Sequence, residues 1–129
     1  MTNLDIIKST YEGVTSEQNG KNLQFHLAAD ASWTEAQGFP YAGTYFGFDA
    51  IKRHVFDRLV TEWSDYKVSI DGYVDNQDHV VAYGTYSGTY RATQQSFSAR
   101  VAHLWTLKQG KIIRFEQFVD SASVWSAIK

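Results

Sequence analysis

The stretch that most restricts what this chain can fold into is residues 97–119, FSARVAHLWTLKQGKIIRFEQFV. Alternating apolar residues on both sides of Lys108-Gln109-Gly110 predict a long antiparallel hairpin, closed by a three-residue loop in which Gly110 takes the left-handed conformation. Such a loop sets Leu107 opposite Lys111, Trp105 opposite Ile113, His103 opposite Phe115 and Val101 opposite Gln117. Alternate residues share a face. One face therefore carries Phe97, Ala99, Val101, His103, Trp105, Ile113, Phe115, Gln117 and Val119, an apolar wall interrupted by His103 and Gln117. The opposite face, with Ser98, Arg100, Ala102, Leu104, Ile112, Arg114, Glu116 and Phe118, is mixed. A wall of the first kind suggests a pocket.

The rest of the chain supplies what could cover that wall. Leu4, Ile7, Tyr11 and Val14 recur at helical spacing and predict a helix over 3–17, which Asn19-Gly20 breaks. A shorter helix is expected over 21–29, ended by Asp30, then short strands at 32–34 and 41–46 around the Gly38-Phe39-Pro40 turn. Ile51, Val55, Leu59 and Trp63 form the stripe of a third helix over 48–62. The period then drops to two, giving strands at 66–75 and 79–91, with Asn76-Gln77-Asp78 as the turn. Gly84 and Gly88 inside the second of these predict bulges and a strongly curved sheet. Asp120 caps a last helix, SASVWSAI. Long strands joined by short turns are antiparallel, and helices grouped before them cover one face. The expectation is one α+β domain over residues 1–129, a cone whose open end is a ligand site. Leu104, Ile112 and Phe118 on the uncovered face predict a homodimer through it.

Several functions are excluded or disfavoured by composition. There is no cysteine, so disulfides, thiolate nucleophiles and Cys-ligated metals are out. A net charge of −2 with mixed signs argues against nucleic acid and anionic membrane surfaces. MTNLDIIKST shows no basic region followed by an apolar run, so a cytoplasmic protein is expected. The four histidines lack paired ligand spacing, and there is no P-loop, dinucleotide fingerprint or G-x-S-x-G elbow, so neither metal nor cofactor is expected.

The element order, AADASWTE after the second helix, PYAGTYFGFDAI entering the third, and HLWTLKQGKIIRFEQFVD at the end together resemble the NTF2-like superfamily, in particular its SnoaL-like and ketosteroid-isomerase-related members. The resemblance implies an NTF2-like cone, with three helices over the concave face of the sheet and a short C-terminal helix. It also implies a small apolar ligand and cofactor-independent proton transfer of the isomerase or cyclase type. From ketosteroid isomerase it carries the oxyanion-hole tyrosine onto Tyr11, the carboxylate base onto Glu35 and the second oxyanion donor onto His103. The catalytic aspartate of SnoaL-type cyclases falls on Gln117, which cannot act as an acid or base.

Each candidate has a plainer reading beside the chemical one. His103 is either a general acid or base or a core histidine hydrogen-bonded to a backbone carbonyl or to Tyr11, and Glu35 either a base in a dry cleft or a solvated loop carboxylate. Tyr11 either faces a ligand or packs, and Gln117 orients a ligand, locks the His103 tautomer or makes a structural hydrogen bond. Trp33, Phe46, Phe56, Trp63, Tyr83, Trp105 and Phe115 are candidates for pocket lining or for core. His54 flanks the third helix's stripe; His26 and His79 read as surface, and Glu116 as outer-face. If the site is catalytic, Glu35 or His103 moves the proton; if not, the cavity belongs to a dimeric binding protein.

Overall fold

The computed structural model describes residues 1–129. Its elements are α1 (Asn3–Ser9), α2 (Ser16–His26), β1 (Leu27–Glu35), β2 (Gly43–Phe46), α3 (Phe48–Ile51), a π-helical turn (Lys52–Phe56), α4 (Asp57–Glu62), β3 (Trp63–Asp75), β4 (His79–Tyr90), β5 (Gln95–Lys108), β6 (Lys111–Val119) and α5 (Ser121–Ile128). This is a mixed α+β fold. One six-stranded sheet runs in the order β2-β1-β6-β5-β4-β3, curved and unclosed, with β2 and β3 as its edges. Every neighbouring pair is antiparallel except β1 and β6, which are parallel.

Curvature is built where glycine permits it. Asp71 of β3 is an extra residue between Ile70, paired with Gly84, and Gly72, paired with Tyr83. A Cβ at Gly84 would lie 1.9 Å from the Ser69 carbonyl oxygen, so only glycine lets the bulged strand press this close. A second irregularity, between Ser64 and Lys67, faces Gly88. The helices pack onto the concave side: Ile6, Ile7, Leu23 and Ile51 meet Trp33, Val80, Trp105, Leu107, Ile112 and Phe115 in one core cluster. A second cluster joins Phe39, Tyr41, Trp63, Tyr86, Phe97 and Val101 to Val124 and Ala127 of α5. Asp120 caps α5, accepting from the Ser123 backbone N–H at 3.2 Å.

Three sequence expectations need correction. The hairpin turn has two residues, not three. Lys108 pairs with Lys111, and Gln109 (φ 52°) and Gly110 (φ 77°) both sit in the left-handed region, as a type I′ turn requires. A shift between Thr106 and Leu107 follows, so Trp105 meets Phe115 and His103 meets Gln117. That shift buries Ile112 on the wall and turns Ile113 outward. The first helix stops at Ser9, and Asn19-Gly20 lies inside α2. Asn19 is no breaker because its side chain fastens the preceding turn, accepting from Gly13 N at 2.6 Å and donating to the Tyr11 carbonyl at 3.2 Å. Residues 27–31 are strand rather than helix, since β1 is held between β2 and β6.

Candidate functional site

Between the helices and the sheet lies a cavity of about 300 Å³, at the small end of the roughly 300–1,000 Å³ typical of small-molecule sites. Its wall is assembled from distant parts of the chain. β1 gives Trp33 and Glu35, β3 gives Tyr66 and Val68, β4 gives Tyr86, β5 gives His103 and Trp105, and β6 gives Phe115. The helical side gives Tyr11, Leu23, Val55, Phe56 and Leu59, with Thr10, Ser16, Asn19 and Lys67 supplying polar lining. Val55 and Phe56 come from the π-helical turn, whose wider coil is a feature often found beside functional sites. Phe115 stacks on Trp33 with ring centroids 3.8 Å apart, and Trp105 meets both edge-on.

His103 sits in this wall with only 5 % of its surface exposed. Both ring nitrogens are engaged: Nδ1 with the Tyr11 hydroxyl and Nε2 with the Tyr86 hydroxyl, each at 2.5 Å. The Trp105 indole N–H donates to the Tyr11 hydroxyl at 3.0 Å. The Gln117 side-chain NH2 donates to the Tyr86 hydroxyl at 3.0 Å, and its carbonyl accepts from the Ala36 backbone N–H at 3.0 Å. Burial alone drives the His103 pKa down to about 3, so the ring is neutral at physiological pH. Burial likewise holds the Tyr11 and Tyr86 hydroxyls well above the ordinary tyrosine range.

Glu35 is the counterexample to this saturation. It closes β1, is 4 % exposed, and its Oε2 has no hydrogen-bond partner. Desolvation pushes its pKa up to about 8, with the neighbouring Trp33 indole pulling the other way. The Trp33 indole N–H, also buried, lies beside the carboxyl without reaching hydrogen-bond geometry. Buried orphans of this kind are rare in folded proteins and call for an explanation. No three His, Asp or Glu side chains gather as a metal-binding group.

The sequence candidates therefore divide. Tyr11, Trp33, Glu35, Phe56, His103, Trp105 and Phe115 share the cavity. Tyr83 does not: Ala82 pairs with His103, so even-numbered residues of β4 face inward and Tyr83 lies on the outer face, 38 % exposed. Phe46 is 66 % exposed on the edge strand β2, beside a separate shallow hollow. Trp63 is buried in the second core cluster, its indole N–H donating to the Tyr41 hydroxyl at 2.8 Å. Gln117 stands behind Tyr86 rather than in the wall. His54 stacks on Tyr45, ring centroids 5.2 Å apart. Tyr86 and Tyr66 are members that the sequence reading missed. The parity of β4 relative to His103 would have found Tyr86.

The profile of the SnoaL-like domain family matches residues 8–115. The chain belongs to the SnoaL-like domain family. An NTF2-like protein of Burkholderia thailandensis E264 is 41 % identical to this SnoaL-like chain, with a TM-score of 0.94 over 100 % of this chain and 98 % of that one. Two more distant structures show the same fold. TerC, co-crystallised with polyporic acid, is 22 % identical over 98 % of this chain and 97 % of that chain, TM-score 0.83. A protein of ketosteroid isomerase-like fold from Catenulispora acidiphila DSM 44928, in complex with trimethylamine, is 19 % identical over 98 % and 93 %, TM-score 0.77. A search of curated proteins gave no match. No helix of this SnoaL-like chain is long and apolar enough to cross a membrane.

Proposed function

We propose that the cavity binds a small, largely apolar carbonyl compound and moves a proton at the carbon beside the carbonyl, without a cofactor. The observation that carries this reading is the Glu35 carboxyl, buried and unpartnered in the wall of an aromatic cavity. A carboxylate in such a place is a poor structural choice and a strong base once ionised. Its pKa of about 8 leaves it mostly protonated at neutral pH and ionised just above. His103, held neutral with a pKa of about 3, is poorly suited to be the base. The developing oxyanion is met by a tyrosine hydroxyl of the His103 chain. The complexes of structural relatives with small molecules agree with an accessible cavity.

The test is deuterium incorporation at the α-carbon of a small aromatic ketone such as 2-tetralone, followed by NMR in D2O. Exchange should rise with pH through an apparent pKa near 8, and Glu35→Gln should slow it by about two to four powers of ten. Exchange no faster than in buffer, or equal in wild type and variant, rejects the reading. Saturable ketone binding without exchange would instead identify a binding protein.

The outer sheet face, where Ile113 is 37 %, Tyr83 38 % and Phe118 51 % exposed, is the surface on which two copies would meet. Phe118→Lys should then convert a sedimenting dimer to monomer; a wild-type monomer at micromolar concentration rejects this part.

A further inference from the structure

The hydrogen-bond chain through His103 has one proton more than it has places for. Trp105 donates to the Tyr11 oxygen and Gln117 to the Tyr86 oxygen, each at 3.0 Å. The orientation of Gln117 is not free, because its other end must accept from the Ala36 N–H. Each hydroxyl oxygen thus receives one N–H and still has its own proton to direct. Each also faces one imidazole nitrogen at 2.5 Å. A neutral imidazole has one N–H and one lone pair. It can take the proton of one hydroxyl only; the other hydroxyl must accept the ring N–H and turn its own proton elsewhere. Both tyrosines border the cavity.

We infer that His103 is a tautomeric switch that gives the cavity a single spare hydroxyl donor, at Tyr11 when Nδ1 carries the ring proton and at Tyr86 when Nε2 does. The hydroxyl that is not the donor keeps one lone pair, since a hydroxyl oxygen has two and only one is taken by Trp105 or Gln117. The pair therefore presents one donor and one acceptor, in either order. This deepens the small-molecule reading, and its consequence for ligands rests on that reading. The matching ligand carries an acceptor oxygen at one end and a hydroxyl at the other, as a hydroxyketone or an enolised dicarbonyl does. A ligand with carbonyl oxygens at both ends leaves one of them facing a lone pair. His103 is here a positioning residue: it acts through the tyrosines. The other titratable groups on the cavity wall are Glu35, Tyr66 and Lys67. Burial keeps the ring neutral, which the switch needs, because an imidazolium would free both hydroxyl protons at once.

The test needs no ligand and no turnover, so it can fail while the proton-transfer reading stands, and the reverse. Two-bond 1H–15N correlation spectra of 15N-histidine-labelled protein, with His103 assigned against His103→Gln, report the ring tautomer directly. In Tyr11→Phe a proton on Nδ1 would face the phenyl ring with no acceptor, so the ring should be the Nε2–H form, donating to Tyr86, whose own proton turns to the cavity. In Tyr86→Phe the same argument puts the proton on Nδ1, donating to Tyr11. Opposite tautomers in the two variants support the switch; the same tautomer in both, or an imidazolium at pH 6–8 in the wild type, overturns it. Should either variant fail to fold, Trp105→Phe gives the same reading with both hydroxyls in place. Without the indole donor, the Tyr11 oxygen draws the ring N–H, and the population must move toward Nδ1–H relative to wild type. No movement overturns the proposal.

Discussion

Two groups of polar atoms share one apolar cavity and are treated in opposite ways. From Trp105 through Tyr11, His103, Tyr86 and Gln117 to the Ala36 backbone, each link has a partner within 3.0 Å. Glu35 Oε2 and Trp33 Nε1, in the same wall, have none. A satisfied buried network is rigid and holds its members in place; an unsatisfied group costs stability for as long as nothing binds it. The contrast separates residues that set geometry from residues that wait for a partner. His103 and Glu35, which the sequence alone treats as interchangeable candidates for the base, fall on opposite sides of it.

The contrast is sharpest under apolar substitution, where the largest effect is expected. His103→Leu leaves two buried hydroxyls facing a methyl group. At about 1–3 kcal/mol for each of the two stranded groups, the loss should be about 2–6 kcal/mol in urea unfolding at neutral pH. Glu35→Leu removes an unpartnered carboxyl and should cost almost nothing at pH 6.5, or gain. Similar losses for both variants would show that Glu35 has a partner in solution, and the division between the two groups would collapse.

How much of this was readable beforehand follows from the same physics. Strand parity carried His103, Trp105 and Phe115 to the correct face, because a period of two survives any uniform slip by two residues. It failed for Ile113, since the irregularity beside Thr106 reverses parity locally and nothing in KIIRF announces it. The interior glycines announced the bulges through their missing side chains, although the extra residue lies on the partner strand. Tyr83 was placed inside because β4 was read alone; only its pairing with β5 fixes which phase is buried. Of the hydrogen-bonded chain, the sequence offered the His103–Tyr11 contact but not Tyr86 as the partner of the other ring nitrogen. Tyr11 and Tyr86 lie on α1's trailing turn and β4, and their meeting at one imidazole, with Gln117 of β6 behind Tyr86, is a property of sheet curvature.

The smaller test uses pH, where the two groups pull in opposite directions. Glu35 has a folded pKa of about 8 against an ordinary 4.5, so the folded state holds its proton over that interval and the unfolded state does not. Its contribution is fully present below about 4.5 and is lost as pH rises through 8. His103 has a folded pKa of about 3 against 6.5. Its contribution is fully present above 6.5 and is lost as pH falls toward 3. From 4.5 to 6.5 the Glu35 and His103 slopes cancel, leaving only the contribution of His26, whose pKa burial also lowers, so unfolding free energy should change little there and decline on both sides. Between pH 6.5 and 8 only Glu35 acts, and one and a half pH units at about 1.4 kcal/mol per unit give a loss of about 2 kcal/mol. Glu35→Leu should abolish that upper decline and, with nothing left to cancel the His103 slope, start the lower decline at pH 6.5 instead of 4.5. A variant that still loses stability above pH 6.5 would place the responsible proton on some other group, and Glu35 would no longer stand apart from the saturated chain around His103.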